Sequence, residues 1–386
     1  MRFSKRLPSE FCENDFAKVV QKSQGHIDLT TTNPTHCSFN GSLDALKNVF
    51  TVEHLASYDP DPQGLYAARV AVCHYMHPYD IIPEQVLLTA GTSEAYSFLI
   101  KLFCDPGDVI LIPQPSYPLL EHLAELEAVR VGYYSLIYND QVWRLDLNSI
   151  QKQLQLGAKI IVVVEPNNPT GTICSSEQWS ELCLLAKKYQ AVIISDEVFR
   201  PYYKYSDWPK ATADTQGVPI FILDGLSKAC GLPQLKCSWI VALTAKSHLN
   251  ACMERLNFIA DAYLSVNAPV QQALPQLLNF AKDIQQQIRA RVQTNELQLA
   301  VMLERLSHVQ ALPTNGGWYA ILHLKNLPQN SEEQSVLQLL EQERVLVHPG
   351  YFYGFDEGAF WVMSLLLPRE NFASGLSRLN TFLKRM

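Results

Sequence analysis

Charge is scarce in this chain. Asp, Glu, Lys and Arg supply 18% of its 386 residues, while hydrophobic residues supply 47%. That balance excludes a disordered chain and provides for a sizeable core. Lys and Arg form no block, and the net charge is −7, so nucleic acid and anionic membrane surfaces are not expected as main partners. No apolar run approaches the roughly 20 residues of a membrane-spanning helix. The first residues, Met1-Arg2-Phe3-Ser4-Lys5-Arg6, lack the apolar stretch of a signal peptide. Nine cysteines are scattered without a Cys-x-x-Cys pair, which is the usage of a reducing compartment and not of a disulfide framework. The cluster Cys73-His74-Tyr75-Met76-His77 fits no standard metal spacing and reads as a helix face. Internal repeats and low-complexity tracts are lacking too. The expectation is a soluble cytoplasmic protein without a metal site.

What is present is a set of short apolar runs. Val109–Ile112, Val129–Tyr133, Lys159–Glu165, Ala191–Ser195, Pro219–Leu223 and Trp239–Leu243 read as strands buried on both faces. Segments of helical spacing lie between them, among them Ser93–Cys104 and Glu177–Tyr189. This alternation predicts an α/β fold whose large domain is built on a mostly parallel mixed sheet. After Pro275 the pattern becomes one long helix, roughly Ile284–Leu306, and then a smaller α/β unit with strands at Trp318–Leu324 and Val345–Val347. The expected division is residues 1–40 as an N-terminal segment on the small domain, 41–282 as the large domain and 283–386 as the small domain.

In a sheet of this kind, the loops leaving the carboxyl ends of the strands build the ligand site. Three polar groups fall at such ends. Asn168 lies in Pro-Asn-Asn-Pro-Thr-Gly, Asp196 closes Ala-Val-Ile-Ile-Ser, and Lys228 follows Leu226-Ser227. Alone, each has an ordinary explanation as a turn, a helix cap or a solvated lysine. In order, they are spaced 28 and 32 residues apart, each about one strand-helix unit. A lysine amine condenses with an aldehyde, a carboxylate holds a pyridinium proton, and an amide reaches a ring oxygen. That set suits pyridoxal phosphate (PLP) better than other common cofactors.

From Asn33-Pro34-Thr35 to the C-terminus the chain resembles the class I/II aminotransferases, a family of fold-type I PLP-dependent enzymes. The resemblance rests on Ala90-Gly91-Thr92-Ser93-Glu94-Ala95, Pro115-Ser116-Tyr117-Pro118, Asn167-Asn168-Pro169-Thr170-Gly171, Asp196-Glu197-Val198-Phe199 and Ser227-Lys228-x-x-Gly231-Leu-Pro233. Gly316-Gly317-Trp318-Tyr319 and His348-Pro349-Gly350 add agreement in the small domain. It implies that Lys228 carries the cofactor as an aldimine and later moves the proton at the substrate's Cα. It implies that Asp196 pairs with the pyridine nitrogen, Asn168 with the ring oxygen, and that Tyr117 stacks on the ring. Thr92 and Ser93 amides, the Ser227 hydroxyl and Lys236 would hold the phosphate. Tyr58 would reach the phosphate of a neighbouring subunit, which implies a homodimer with shared active sites. The implied reaction exchanges an amino group between an amino acid and a 2-oxo acid.

The chain departs from the family pattern in three places. Phe199 stands where a tyrosine usually donates to the ring oxygen, which should raise the basicity of the linkage to Lys228. Gly225 replaces a common serine of the phosphate cup. Val362-Met363-Ser364 replaces the Arg-x-Ser whose planar fork grips a substrate carboxylate. Arg200 and Arg369 are the nearest alternatives in sequence, each expected as a solvated surface arginine. Asp261 near Ser265 argues against a second carboxylate on the substrate, and Phe39, Tyr66 and Trp318 read as pocket lining or plain core.

Two other readings stay open at this level. A PLP-dependent C–S lyase, or another eliminating or decarboxylating enzyme, could use the same residues, since sequence fixes poorly which bond breaks. It would release pyruvate and ammonia without an acceptor. A non-catalytic PLP-binding regulatory protein would turn over no amino acid, and the basic charge that DNA requires is missing.

Overall fold

The computed structural model describes residues 3–8, 14–39, 46, 49–50, 58–205, 208–209, 215 and 217–386. Its strands are β1 (Ile27–Asp28), β2 (Val86–Thr89), β3 (Val109–Gln114), β4 (Arg130–Asn139), β5 (Val142–Leu145), β6 (Ile160–Val164), β7 (Val192–Asp196), β8 (Ile220–Gly225), β9 (Ser238–Leu243), β10 (Val309–Leu312), β11 (Tyr319–Leu324), β12 (Val345–Leu346), β13 (His348–Pro349) and β14 (Phe360–Ser364). Eight of them form one sheet in the order β2-β9-β8-β7-β6-β3-β4-β5. Strands β4, β3, β6, β7 and β8 run parallel; β9 is antiparallel to both its neighbours, and β5 is antiparallel to β4. A four-stranded antiparallel sheet, β10-β11-β14-β13, makes the second layer system.

Period-two alternation divides the central strands between two cores. In β8, Ile220 and Ile222 join one core while Phe221 and Leu223 join the other. In β7, Ile193 faces the first, and Val192 and Ile194 the second. Both faces are therefore apolar, as a helix-covered parallel sheet requires. Helix Ser176–Tyr189 covers one face with Trp179, Leu182, Cys183 and Ala186, an i, i+3, i+4, i+7 stripe. Ser175 caps it by accepting from the Gln178 amide at 3.2 Å, and Gln190 ends it in the left-handed conformation.

Several elements differ from the sequence reading. The long helix runs Ala281–Leu303, earlier than expected, and Pro275 lies inside the preceding helix Ala268–Asn279. The expected strand at Val345–Val347 shortens to β12, and it pairs in parallel with β1 and not with the four-stranded sheet. This couples the segment near residue 27 to the C-terminal part of the chain. Strands β1, β2, β5, β10, β13 and β14 were not anticipated.

Candidate active site

The carboxyl ends of β6, β7 and β8 bring Asn168, Asp196 and Lys228 together. The alternation in β7 places Asp196 on the face covered by helix Thr92–Phe103, and Tyr96 of that helix donates to its Oδ2 at 2.9 Å. The Val198 amide donates to Oδ1 at 3.2 Å. Burial nonetheless pushes this carboxyl up to about 6, against those hydrogen bonds and the nearby Lys228 charge.

Lys228 stands in the one-turn helix Leu226–Ala229, which begins directly after β8. Tyr202 donates its hydroxyl to the Lys228 carbonyl at 2.7 Å, and Gln285 donates to the Ala229 carbonyl at 2.9 Å. The turn is thus held from both sides. The amine lies 4.9 Å from the centre of the Trp318 ring and 5.5 Å from that of Phe199. Loss of water in this aromatic box pulls it down to about 8, while Asp196 acts in the opposite direction.

Asn168 is buried and donates Nδ2 to the Tyr319 hydroxyl at 3.1 Å, while its Oδ1 is enclosed without a partner. Gly171, at φ +64°, lets the same loop pass close to Gly316: a Cβ there would meet the Gly316 carbonyl at 2.6 Å. Tyr117 is half exposed and lies close to Tyr319 and Tyr353.

A second cluster lies at the start of helix Thr92–Phe103. Its cap residue is Gly91, no side chain caps it, and the Thr92 and Ser93 amides lead the first turn. Lys236 approaches this end, its amine 3.4 Å from where a Cβ on Gly91 would stand. Ser227 is half-buried at the start of the Lys228 turn. Tyr58 lies outside the cluster, with 68% of its surface exposed beside Ser265 and Leu264.

The three departures have structural counterparts. Phe199 packs edge-on to Trp318 at 4.9 Å, so its ring fills space beside Lys228 without offering a donor. At Gly225 a Cβ would fall 2.1 Å from the Ser238 hydroxyl oxygen, its partner across the β8–β9 ladder, so the glycine is required by Ser238. Val362 is a core residue of β14, opposite Ile321 and His348. Arg200 corrects the expectation of a solvated arginine. It is buried between the Tyr75 and Tyr79 rings, 3.7 Å from both Glu197 and Asp224. Arg369 is exposed in a groove beside Thr294 and Met302. Arg291 stacks on Phe39 and donates to the Cys37 and Leu366 carbonyls.

Sequence reasoning missed Tyr96, Tyr202 and Tyr319 as neighbours of the site. Each sits in an apolar helix, turn or strand, where a tyrosine is indistinguishable from core.

The fold and this cluster define an α/β class in which a lysine just past a strand end, here Lys228, stands opposite a buried carboxylate, here Asp196. The model of the aminotransferase class I and II family matches residues 34–364, and the chain belongs to that family. Its activity class is that of a transaminase. An alanine aminotransferase of Mycobacterium bovis is 25% identical over 378 residues, covering 94% of this chain and 87% of the relative. A glutamate-pyruvate aminotransferase AlaA of Haemophilus influenzae is 26% identical over 357 residues, covering 90% and 88%. Among solved structures, an alanine aminotransferase of Pyrococcus furiosus superposes with a TM-score of 0.89 at 24% identity, over the full length of both chains. A Thermus thermophilus aspartate aminotransferase variant gives 0.84 at 20% identity, covering 99% and 100%. At these identities the superpositions speak for the fold alone.

Proposed function

We propose that the protein is a PLP-dependent transaminase that exchanges the amino group of an amino acid with a 2-oxo acid, using Lys228 as its reactive amine. The observation that carries this reading is the juxtaposition of an amine enclosed by the Trp318 and Phe199 rings, and so easily deprotonated, with a buried carboxylate.

The residues fit the cofactor. Asp196 is a carboxylate without a full cationic partner, raised by burial, and a pyridinium would meet that need. The enclosed, unpartnered end of Asn168 calls for one more polar group in the cavity. Gly91 with the open first turn of helix Thr92–Phe103, Lys236 beside it and Ser227 nearby suit a phosphate. Tyr117 would cover the ring. When bound, PLP stabilises negative charge developing at the substrate's Cα. The chain's own part is to hold and move protons. Lys228, at about 8, has a neutral fraction near neutral pH that accepts the Cα proton and returns it. Asp196, kept in place by Tyr96 and the Val198 amide, holds the ring-nitrogen proton. Phe199 and Trp318 exclude water from the amine.

We further take residues 41–282 as the cofactor-binding unit and the active protein as a cytoplasmic homodimer. Tyr58, 68% exposed in a depression shared with Leu264 and Ser265, supports this reading, since an exposed tyrosine there is available to reach a partner's phosphate. The described cysteines are all free thiols, as a reducing compartment favours. Among the described residues no helix is long and apolar enough to cross a membrane.

Borohydride reduction of the loaded protein followed by peptide mapping is expected to give a pyridoxyl group on Lys228. A screen of the standard amino acids should then bleach the visible band and release the matching 2-oxo acid. A map without the adduct at Lys228 would defeat the proposal; pyruvate and ammonia formed without an acceptor would favour elimination.

A further inference from the structure

Phe199 leaves the cofactor's ring oxygen without the hydroxyl that the family pattern would supply. We infer that Tyr319 makes good part of this loss as a positioning residue: it fixes the Asn168 carboxamide so that its NH2 end, and not its oxygen, faces the ring oxygen. The inference rests on the PLP reading given above.

Three observations carry it. Tyr319 is buried at the start of β11, with its hydroxyl 3.1 Å from the Asn168 amide. The Thr32 hydroxyl and the Trp318 indole N–H also lie near the same Tyr319 hydroxyl, each able to donate to it. The other end of the Asn168 amide, Oδ1, is enclosed and unpartnered. A phenol has one proton to give and can accept two. With Thr32 donating to it, Tyr319 is free to spend its own proton on Asn168. The two ends of a carboxamide are nearly equal in size, so turning it by half a revolution keeps the Tyr319 contact, now with Tyr319 donating to Oδ1. That turn also replaces a carbonyl oxygen, which would repel the electron-rich ring oxygen, by an N–H donor that attracts it. One relay then runs Thr32 to Tyr319 to Asn168 to cofactor, and every buried group in it is satisfied. Burial pushes the Tyr319 phenol up to about 12, so it keeps the proton the relay needs.

The relay acts on basicity. A donor at the ring oxygen draws electron density away from the nitrogen that joins the cofactor to Lys228, and removing the donor makes that nitrogen hold its proton more tightly. The test is a pH titration of the visible absorption band of the holoenzyme. Tyr319→Phe, which deletes one oxygen from a buried ring, is expected to raise the midpoint by about 0.5 to 1 pH unit, the span of one neutral hydrogen bond. Thr32→Val, at a half-buried site, should raise it by less. Phe199→Tyr should lower the midpoint and shrink the effect of Tyr319→Phe in the double variant, because the ring oxygen then has its own phenol. A purely structural Tyr319 would alter thermal stability and leave the midpoint where it is. An unmoved midpoint in loaded Tyr319→Phe overturns the relay alone. Failure of the wild type to form the reducible Lys228 adduct overturns the PLP reading and the relay with it.

Discussion

Lys228 should make the cofactor-free protein less stable. Its amine falls from an ordinary 10.5 to about 8 because burial among Trp318 and Phe199 disfavours the ammonium. The depressed value fixes the sign. Between about 8 and 10.5 the unfolded chain holds a proton that the native state has lost, so stability rises with pH across that window. Below pH 8 both states are protonated, and the full cost of burying the charge is present. A shift of 2.5 units (10.5 minus 8) corresponds to about 3 kcal/mol. Lys228 is only partly buried as a whole residue, so screening reduces this to roughly 2 kcal/mol. Lys228→Met, similar in length and apolar, removes the cost. It also removes the attraction between Lys228 and Asp196, and at pH 7 Asp196, with a value of about 6, is mostly ionised and loses by that change. The gain is therefore expected to be largest near pH 5.5, where Asp196 is protonated. Urea unfolding of PLP-free protein, followed by tryptophan fluorescence between pH 5.5 and 9.5, measures it. The variant should be more stable by about 1 to 3 kcal/mol below pH 8, and the gap should narrow steadily above. With PLP added the order should reverse, since only wild type gains from the covalent anchor. A Lys228→Met protein that is less stable at pH 6, or a gap that ignores pH, would refute the assignment of Lys228 as a buried charge under strain.

Two other substitutions probe the ground beneath the site. Arg200→Met removes the cation that faces the fully buried Glu197 and Asp224 and should cost about 3 to 5 kcal/mol, most of it at Asp224, since Glu197 keeps its hydrogen bonds from Tyr79 and Ser195. Burial already raises Asp224 to about 7, so a carboxylate freed of its arginine rises further and the deficit should shrink as pH falls from 8 to 5.5; thermal melts at the two pH values check this. Gly225→Ser restores the family's usual residue but drives a Cβ into Ser238, and about 1 to 3 kcal/mol should be lost by overpacking. Gly225→Ser with Ser238→Gly should recover most of that loss; a single variant as stable as wild type would contradict the tight ladder.

The central strands were legible because a strand covered on both faces is apolar along its length, and a run such as Ile160–Val164 leaves no alternative periodicity. Lys159–Glu165 and Ala191–Ser195 accordingly match β6 and β7 within a residue or so at each end. Their ends were legible for a related reason: a charged or amide residue that closes an apolar run has to be at the sheet's carboxyl edge, and Asn168, Asp196 and Lys228 all are. Edge strands lack this constraint. Strand β13 is His348–Pro349, two residues with no strand composition, and it exists because β14 lies beside it. Strand β12 reads locally as part of the small sheet, yet its partner is β1, more than 300 residues away in sequence. Local pattern carries no information about such a pairing.

Tyrosines and arginines mark where sequence runs out in the site itself. Tyr96 falls on the buried face of helix Thr92–Phe103 beside Ala95, Phe98 and Leu99, so its ring reads as core, and it is core; only its hydroxyl matters to Asp196. Arg200 shows the same limit in reverse. It follows Phe199 at a turn, where an arginine is ordinarily solvated. What buries it is Asp224, 24 residues later at the end of β8, together with Glu197 and two tyrosine rings from around residue 77. A cation enters a core only when several distant groups converge to compensate its desolvation. That convergence also argues against Arg200 as a substrate anchor: its guanidinium already faces two buried carboxylates and two tyrosine rings, and turning it to a substrate would leave both carboxylates without that cation.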